Sequence, residues 1–312
     1  MMMLCCDSCG KSELDDIKMK KCTACKSVRY CSVECQRNHR PQHKRECKKR
    51  AAELRDELLF KQPESTHLGD CPICFLPILF LEPSTGIFNA ASHPCCSKMI
   101  CLGCVYSTRL QEMEKSQADQ KCPFCRTLYP SDDADAEKML EKRMEVNDPF
   151  AIRGAAGRCW KEGNFTECFK YMTQAAKGGD MEAHQQLAHM YLEGEGVEEN
   201  MNKAIYHWEE AAIGGHPMAR MSLGVVEGDC DSHERAMKHF TIAANHGLDA
   251  AVQHLKEGHE RGYVSHADFE EALRAHKAAV DATKSPQREE AERNPDLLHV
   301  GGKKQTTPKA KK

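Results

Sequence analysis

Residues 22–47 read CTACKSVRYCSVECQRNHRPQHKREC. Cys22 and Cys25 are two residues apart, and the same interval occurs upstream in Cys6-Asp7-Ser8-Cys9. That gap lets both sulfurs of a knuckle turn reach one tetrahedral zinc. Cys31 and Cys35, and His43 and Cys47, are spaced four apart instead. On a helix this puts both side chains on one face, one turn apart. Ser32 can cap a helix beginning after Cys31, and Pro41 stands where a second helix would start. Eight ligands in four pairs predict two interleaved zinc ions. Cys5 rivals Cys6 as first ligand, and the two-residue gap to Cys9 favours Cys6.

Metal is needed here because the segment has almost no core. Between residues 5 and 47 the aliphatic candidates are Leu14, Ile17, Val28 and Val33, and so short a chain needs a staple. A structural zinc supplies about 10–16 kcal/mol of folding free energy. Four protein ligands leave no open coordination position, so the ions are expected to be structural. Cys6, Cys9, Cys22, Cys25, the run Tyr30-Cys31-Ser32-Val33-Glu34-Cys35-Gln36 and His43-Lys44-Arg45-Glu46-Cys47 together resemble the MYND-type zinc finger. The resemblance implies a protein-interaction module that docks short peptides. Arg40 stands where that family usually has Trp, three residues before the ligand His. Gln36, after the sixth ligand, is kept.

The wider composition supports zinc over disulfides. The chain has 312 residues and 19 cysteines, and sixteen of these lie before residue 126. A disulfide scaffold would require export, and Met1-Met2-Met3-Leu4-Cys5 opens no basic segment followed by an apolar run. No stretch approaches the ~18 apolar residues of a membrane span. An intracellular setting, cytoplasm or nucleus, is therefore expected, where closely spaced cysteines act as metal ligands. No membrane partner is expected. Net charge is −3. Residues 1–62 hold fifteen Lys or Arg and nine Asp or Glu, a formal +6. Seven thiolates and two zinc ions would reduce that by three, so nucleic acid is an unlikely partner.

A second cysteine set follows a polar linker. It comprises Cys71-Pro72-Ile73-Cys74, the adjacent pair Cys95-Cys96, Cys101-Leu102-Gly103-Cys104 and Cys122-Pro123-Phe124-Cys125. Three two-residue knuckles again indicate zinc, and four ions are expected in all. His93 is a substitute ligand for Cys95 or Cys96. Residues 71–130 resemble a RING-type finger with cysteine at every ligand position. The usual His position, counted back from Cys101, is Lys98, so Cys95 must fill it. The resemblance implies a cross-brace, with Cys71, Cys74, Cys101 and Cys104 on one ion and Cys95, Cys96, Cys122 and Cys125 on the other. It also implies a docking surface for a ubiquitin-conjugating enzyme, with Ile73, Pro123 and Arg126 at the contact positions. Such a ligase has no catalytic nucleophile and works by positioning.

Beyond Pro130 the chain repeats. Ala175-Ala176-Lys177-Gly178-Gly179 returns as Ala211-Ala212-Ile213-Gly214-Gly215 and as Ala243-Ala244-Asn245-His246-Gly247. Met172, Trp208 and Phe240 keep phase three residues before each first alanine. A period of this size indicates stacked helix pairs, with alanines at close contacts and glycines ending each second helix. Ala183–Leu192, Gly194-Glu195-Gly196-Val197 and Lys203–Ala212 resemble a Sel-1-like repeat, which implies a protein-binding scaffold. The expected core includes Met172, Trp208 and Phe240. Cys159, Cys168 and Cys230 are expected as small buried residues. His184, His189, His207, His239 and His246 are expected to be solvated or hydrogen-bonded.

The expected fold is therefore a set of small zinc-stabilised α+β modules (MYND and RING cross-brace) followed by an all-α helical-repeat solenoid. Its segments are 1–50 (MYND-type finger), 51–67 (helix and linker), 68–130 (RING-type finger), 131–147 (connecting helix), 148–282 (Sel-1-like repeats) and 283–312 (disordered lysine-rich tail). With its Pro94-Cys95-Cys96-Ser97-Lys98 segment, the whole resembles uncharacterised algal and diatom proteins, which implies no activity. The function expected is a zinc-binding adaptor for other proteins, acting as a RING-type ubiquitin ligase toward targets held by the repeats. The alternatives are a non-enzymatic zinc-finger scaffold and a nucleic-acid-associated regulator.

Overall fold

The computed structural model describes residues 5–13, 18–79, 90–111 and 120–295. It divides into two compact units, Met1–Lys61 and Gln62–Lys312.

In the first unit a short antiparallel pair, β1 (Lys20–Lys21) and β2 (Arg29–Tyr30), carries the second knuckle. It leads into α1 (Val33–Leu59). The Ser32 hydroxyl accepts from the Cys35 N–H, 3.1 Å, and fixes the start of that helix. The two helices anticipated around Pro41 are one, with Pro41 in its interior. Proline forfeits one backbone hydrogen bond there. Cys35 before it and His43 and Cys47 beyond it are each tied into a ligand set, which holds the two halves in line.

In the second unit, β3 (Ala90–His93) and β4 (Lys98–Cys101) form an antiparallel hairpin with Ala90 opposite Cys101. The helix α2 (Leu102–Gln111) follows. Cys71, Ile78, Ile100, Cys101, Val105 and Cys122 bury a small core among them. After α3 (Asp133–Glu145) come α4 (Pro149–Lys161), α5 (Phe165–Lys177), α6 (Met181–Glu193), α7 (Met201–Ile213), α8 (Pro217–Asp229), α9 (His233–Asn245), α10 (Asp249–Glu260) and α11 (His266–Ala282). They stack as successive helix pairs.

Each repeat turns at its alanine–glycine corner in the same way. Asp180, His216 and Leu248 donate their backbone N–H groups to the carbonyls of Ala175, Ala211 and Ala243 at 3.1, 2.9 and 3.3 Å. This is the six-to-one bond of a helix ending on a left-handed residue. Gly179, Gly215 and Gly247 supply that residue with φ of +89°, +84° and +79°. Met172, Trp208 and Phe240 are buried as expected, and so is Cys168. Cys230 is exposed, at the C-terminal cap of α8. His239 is fully buried, which rules out the solvated one of its two expected states.

The segment from Gln62 to Leu79 runs along those corners. Asn245 Nδ2 donates to Gln62 Oε1 at 3.1 Å, and His246 Nε2 lies 3.3 Å from the Pro63 carbonyl. His67 N donates to Gly215 O at 3.1 Å. The linker then turns at Gly69, φ +62°, whose N–H bonds Thr66 O at 2.9 Å.

The stretch expected to be a disordered tail from residue 283 opens with a helix. Pro286–Arg293 form α12, capped by Ser285 and packed against α2. Arg288 Nη1 donates to Pro77 O at 2.7 Å and to Thr283 O at 3.0 Å. Its Nη2 donates to Leu76 O at 3.1 Å and to Cys74 Sγ at 3.6 Å. The helix is polar, but this one buried guanidinium satisfies the Pro77 carbonyl and adds a second donor to Leu76 O, which already accepts from Cys71 N at 3.0 Å. The lysine-rich end, 296–312, lies outside the described residues. No helix among the described residues is long and apolar enough to cross a membrane.

Candidate metal centres

Four turns share one backbone plan. In Cys6–Gly10, Cys22–Lys26, Cys71–Phe75 and Cys122–Arg126, the fifth residue returns its N–H to the first cysteine's carbonyl at 2.9, 2.9, 2.9 and 3.0 Å. That fifth residue is left-handed in every case, with φ of 74°, 55°, 57° and 62°. Only the first is glycine. The strain at Lys26, Phe75 and Arg126 persists where surrounding structure over-determines the backbone, and each follows directly on a cysteine gathered into a four-residue set.

The structure gathers the sequence's candidates into four sets: Cys6, Cys9, Cys31 and Cys35; Cys22, Cys25, His43 and Cys47; Cys71, Cys74, Cys101 and Cys104; Cys95, Cys96, Cys122 and Cys125. In each module the first pair joins the third and the second joins the fourth, a cross-brace. Cys5 is exposed and outside the first set. His93 is outside the fourth. It is buried beside Tyr129, and burial lowers its pKa to about 4, so its ring stays neutral.

The spacing within the sets fits a bound dication. Sulfur separations are 3.5 Å for Cys9–Cys31, 3.7 Å for Cys22–Cys47, 3.6 Å for Cys74–Cys101 and 3.4 Å for Cys95–Cys125. His43 Nε2 lies 3.2 Å from Cys25 Sγ. A tetrahedron with Zn–S bonds of about 2.3 Å has edges of about 3.8 Å. A disulfide requires about 2.05 Å. Four sulfurs this close cannot all ionise unaided. The hydrogen bond they share pulls the Cys71 thiol down and pushes Cys101 up, and burial raises Cys95. A divalent cation removes that conflict, because a coordinated thiol is deprotonated outright. The donor sets therefore fit zinc, and with four protein ligands each they fit its structural form.

His67, Glu182 and His216 form a fifth cluster of metal-binding residue types. Its geometry is different. The two imidazoles stack, 4.1 Å between centroids and 16° between planes, so they cannot both aim ring nitrogens in plane at one ion. His216 Nδ1 accepts from Ala219 N at 3.3 Å as the helix cap of α8, which leaves its Nε2–H to donate to Glu182 Oε2 at 3.0 Å. This is a structural hydrogen-bond chain, and spacing in sequence gave no sign of it.

Of the expected partner-contact residues, Ile73 is 36 % exposed, Pro123 is half-buried and Arg126 is exposed. The sequence missed two neighbours: Phe75 and Phe124 stand in solvent at 75 % and 42 %. On the first module a groove of about 290 Å³ is lined by Tyr30, Gln36, Arg40, His43, Lys44 and Lys48, among others. Arg40, Lys44 and Lys48 are one turn apart on α1, so this wall is cationic.

Comparison with known proteins agrees with this division. The MYND finger family matches residues 6–47. The Sel1 repeat family matches residues 156–180, 182–216 and 220–248. An uncharacterised protein of Neisseria meningitidis serogroup B is 34 % identical over 93 residues, covering 28 % of this chain and 20 % of that protein. The match thus spans about one fifth of that relative. A Sel1 repeat protein from Oxalobacter formigenes superposes with a TM-score of 0.40 and 22 % identity, over 51 % of this chain and 69 % of that one. The structure of c5321, described as a protective antigen of uropathogenic Escherichia coli with an SLR fold, gives 0.39 and 16 %, over 65 % and 45 %. The chain carries a zinc-binding MYND finger, a further cysteine-rich zinc module and three Sel1 repeats.

Proposed function

We propose that this protein is an adaptor in which Sel1 repeats hold one protein and the two zinc modules engage others. The second module acts as a RING-type finger that docks a charged ubiquitin-conjugating enzyme. The observation that carries this reading is the cross-braced second set, with Ile73, Phe75 and Phe124 exposed on its knuckles and Arg126 directly after its last cysteine. Apolar side chains in solvent at such fixed positions suit a partner surface. We assign Cys6, Cys9, Cys22, Cys25, Cys31, Cys35, His43 and Cys47 as ligands of the first module. We assign Cys71, Cys74, Cys95, Cys96, Cys101, Cys104, Cys122 and Cys125 as ligands of the second. Zinc, when bound, supplies shape and no bond-making step. The chain's contribution to transfer is to orient the thioester-linked ubiquitin.

An autoubiquitination assay of the zinc-loaded chain with a panel of conjugating enzymes tests this. Activity that falls at least tenfold in Ile73→Ala and Arg126→Ala supports it. Inactivity with every enzyme, or activity indifferent to both substitutions, removes the ligase role. It leaves the second reading, a scaffold, which the cationic MYND groove favours independently. Arg40, Lys44 and Lys48 there suit an acidic peptide, and its binding should weaken steeply with salt.

A further inference from the structure

The three equivalent repeat corners are not equally covered. A methyl group built on Gly215 would lie 2.5 Å from Ser65 O, and one on Gly247 would lie 3.0 Å from Leu79. A methyl group on Gly179 meets nothing within 4 Å among the described residues. The linker accounts for the difference. Gln62 and Pro63 sit at the third repeat's corner and Ser65 to His67 at the second's. It passes from the third repeat's corner to the second's within about four residues, Pro63 to His67. Gly69 then turns it away one corner short of Gly179.

The uncovered corner opens into a cleft of about 860 Å³ between the second zinc module and the first repeats, lined in part by Leu68, Ser92, Met99, Phe150, Gly179 and Glu182. Its charges are uneven. Asp148 is paired with Arg143, and Asp180 with Arg153. Glu182 receives hydrogen bonds from the His216 imidazole and the Gln186 amide, with no arginine or lysine within ion-pair distance among the described residues.

We propose that this cleft is a docking site for a basic peptide segment of a partner protein, which lies on the Gly179 corner as the chain's own Ser65–His67 lies on the Gly215 corner and turns a lysine or arginine toward Glu182. The covered rail is the template, since the Gly215 corner shows what such a carbonyl accepts: a backbone N–H from a crossing segment, His67 N at 3.1 Å. The proposal rests on the adaptor reading only for the premise that the repeats bind protein, and it is independent of ligase activity.

The test uses the full zinc-loaded chain and a displayed library of random heptapeptides. Gly179→Asn is the key variant. Asparagine tolerates the left-handed conformation, the space for it is open, and its side chain would occupy the corner. Gly163→Asn is the control, at another open left-handed glycine, φ +75°. Ser92→Arg, at an exposed cleft residue, is a second blocking variant that does not depend on Gly179. The expected result is enrichment of peptides carrying Lys or Arg. One such peptide, synthesised, should bind at least tenfold more weakly to Gly179→Asn and to Ser92→Arg, and equally to Gly163→Asn. No enrichment, enrichment of acidic sequences, or binding that both cleft variants leave intact would overturn the proposal. Two further outcomes would also overturn it by naming another occupant. One is self-association of the wild-type chain abolished by Gly179→Asn, which points to a second copy. The other is peptide binding seen only after residues 296–312 are deleted, which points to the chain's own end. Neither outcome bears on the conjugating-enzyme assay, so the two readings fail separately.

Discussion

The backbone N–H of His67 donates to the carbonyl of Gly215 at 3.1 Å, and its ring stacks on that of the next residue, His216. The contact needs a bare α-carbon at Gly215. Gly215→Ala introduces left-handed strain of about 1–3 kcal/mol and a methyl group 2.5 Å from Ser65 O. Overpacking of that kind adds about 1–3 kcal/mol. Gly179→Ala carries the strain without the clash. Urea unfolding should therefore rank Gly215→Ala as clearly the less stable of the two. Equal midpoints would mean that the linker does not lie on the corner.

Chelation should divide the molecule. The first module buries little beyond Cys6, Cys22, Cys25 and Tyr30, so its fold depends on metal. The repeats have cores of their own, such as Ile152, Met172, Leu187 and Met190. A strong chelator should release four zinc ions per chain and abolish amide protection over 18–50. Most helical circular dichroism should remain. Cys47→Ser should lower the zinc content by one ion, and Cys159→Ser should leave it unchanged. Loss of all helicity on chelation would contradict this division.

Acid should weaken the solenoid. Burial lowers His67 and His239 to about 3, and His207 to about 4. Each is neutral in the folded chain and titrates near 6.5 when unfolded. The unfolded state then takes up protons first as pH falls. The stability these groups contribute is fully present above pH ~6.5 and is lost progressively down to pH ~3–4, with a loss of order 1–2 kcal/mol each already reached by pH 5. The urea midpoint, followed by tryptophan fluorescence because Trp208 is buried in the repeats, should drop between pH 7 and pH 5. A flat profile would mean that these rings reach solvent.

Arg288→Ala should free α12. The guanidinium makes four hydrogen bonds, to the oxygens of Leu76, Pro77 and Thr283 and to Cys74 Sγ. Hydrogen bonds of charged groups are worth about 1.5–3 kcal/mol each, and Pro77 O would be left needing water while Leu76 O keeps only the Cys71 N–H. Hydrogen exchange should show protection lost over 286–293 and reduced around 74–78, with 181–213 unaffected. Arg288→Lys, which keeps the charge but not the planar fork, should recover only part of it.

The zinc modules were legible because coordination geometry is written into spacing. Two-residue knuckles and one-turn helical pairs have few other uses, and Cys6 and Cys9 reach Cys31 and Cys35 as their order suggests. The repeats were legible because Ala175, Ala211 and Ala243 must be small and Gly179, Gly215 and Gly247 must be left-handed. Other features leave weaker traces. The run of α1 through Pro41 depends on ligands on both sides outweighing a local breaker. Burial of His239, and exposure of Cys230 at the cap of α8, depend on packing that a single residue type does not announce. The docking of α12 left least of all. Its residues are polar, and the partners of Arg288 are backbone carbonyls. One signal was available: Ser285 followed by Pro286 at the first helical position, with Glu289 in the first turn, is a helix-start pattern, and the Ser285 hydroxyl does accept from Arg288 N at 3.3 Å.

The bond from Arg288 to Pro77 spans 211 residues of chain. On the ribosome, at about 5–20 residues per second, Pro77 emerges about 10–40 s before the arginine that caps it. The second zinc module must therefore wait through the synthesis of every repeat with its first knuckle unclasped. A nascent chain cut short anywhere in the solenoid carries a zinc module that never receives its final fastening. Synthesis past residue 288 is thus registered at residue 77, and chains cut short before it differ from longer ones at the second zinc module.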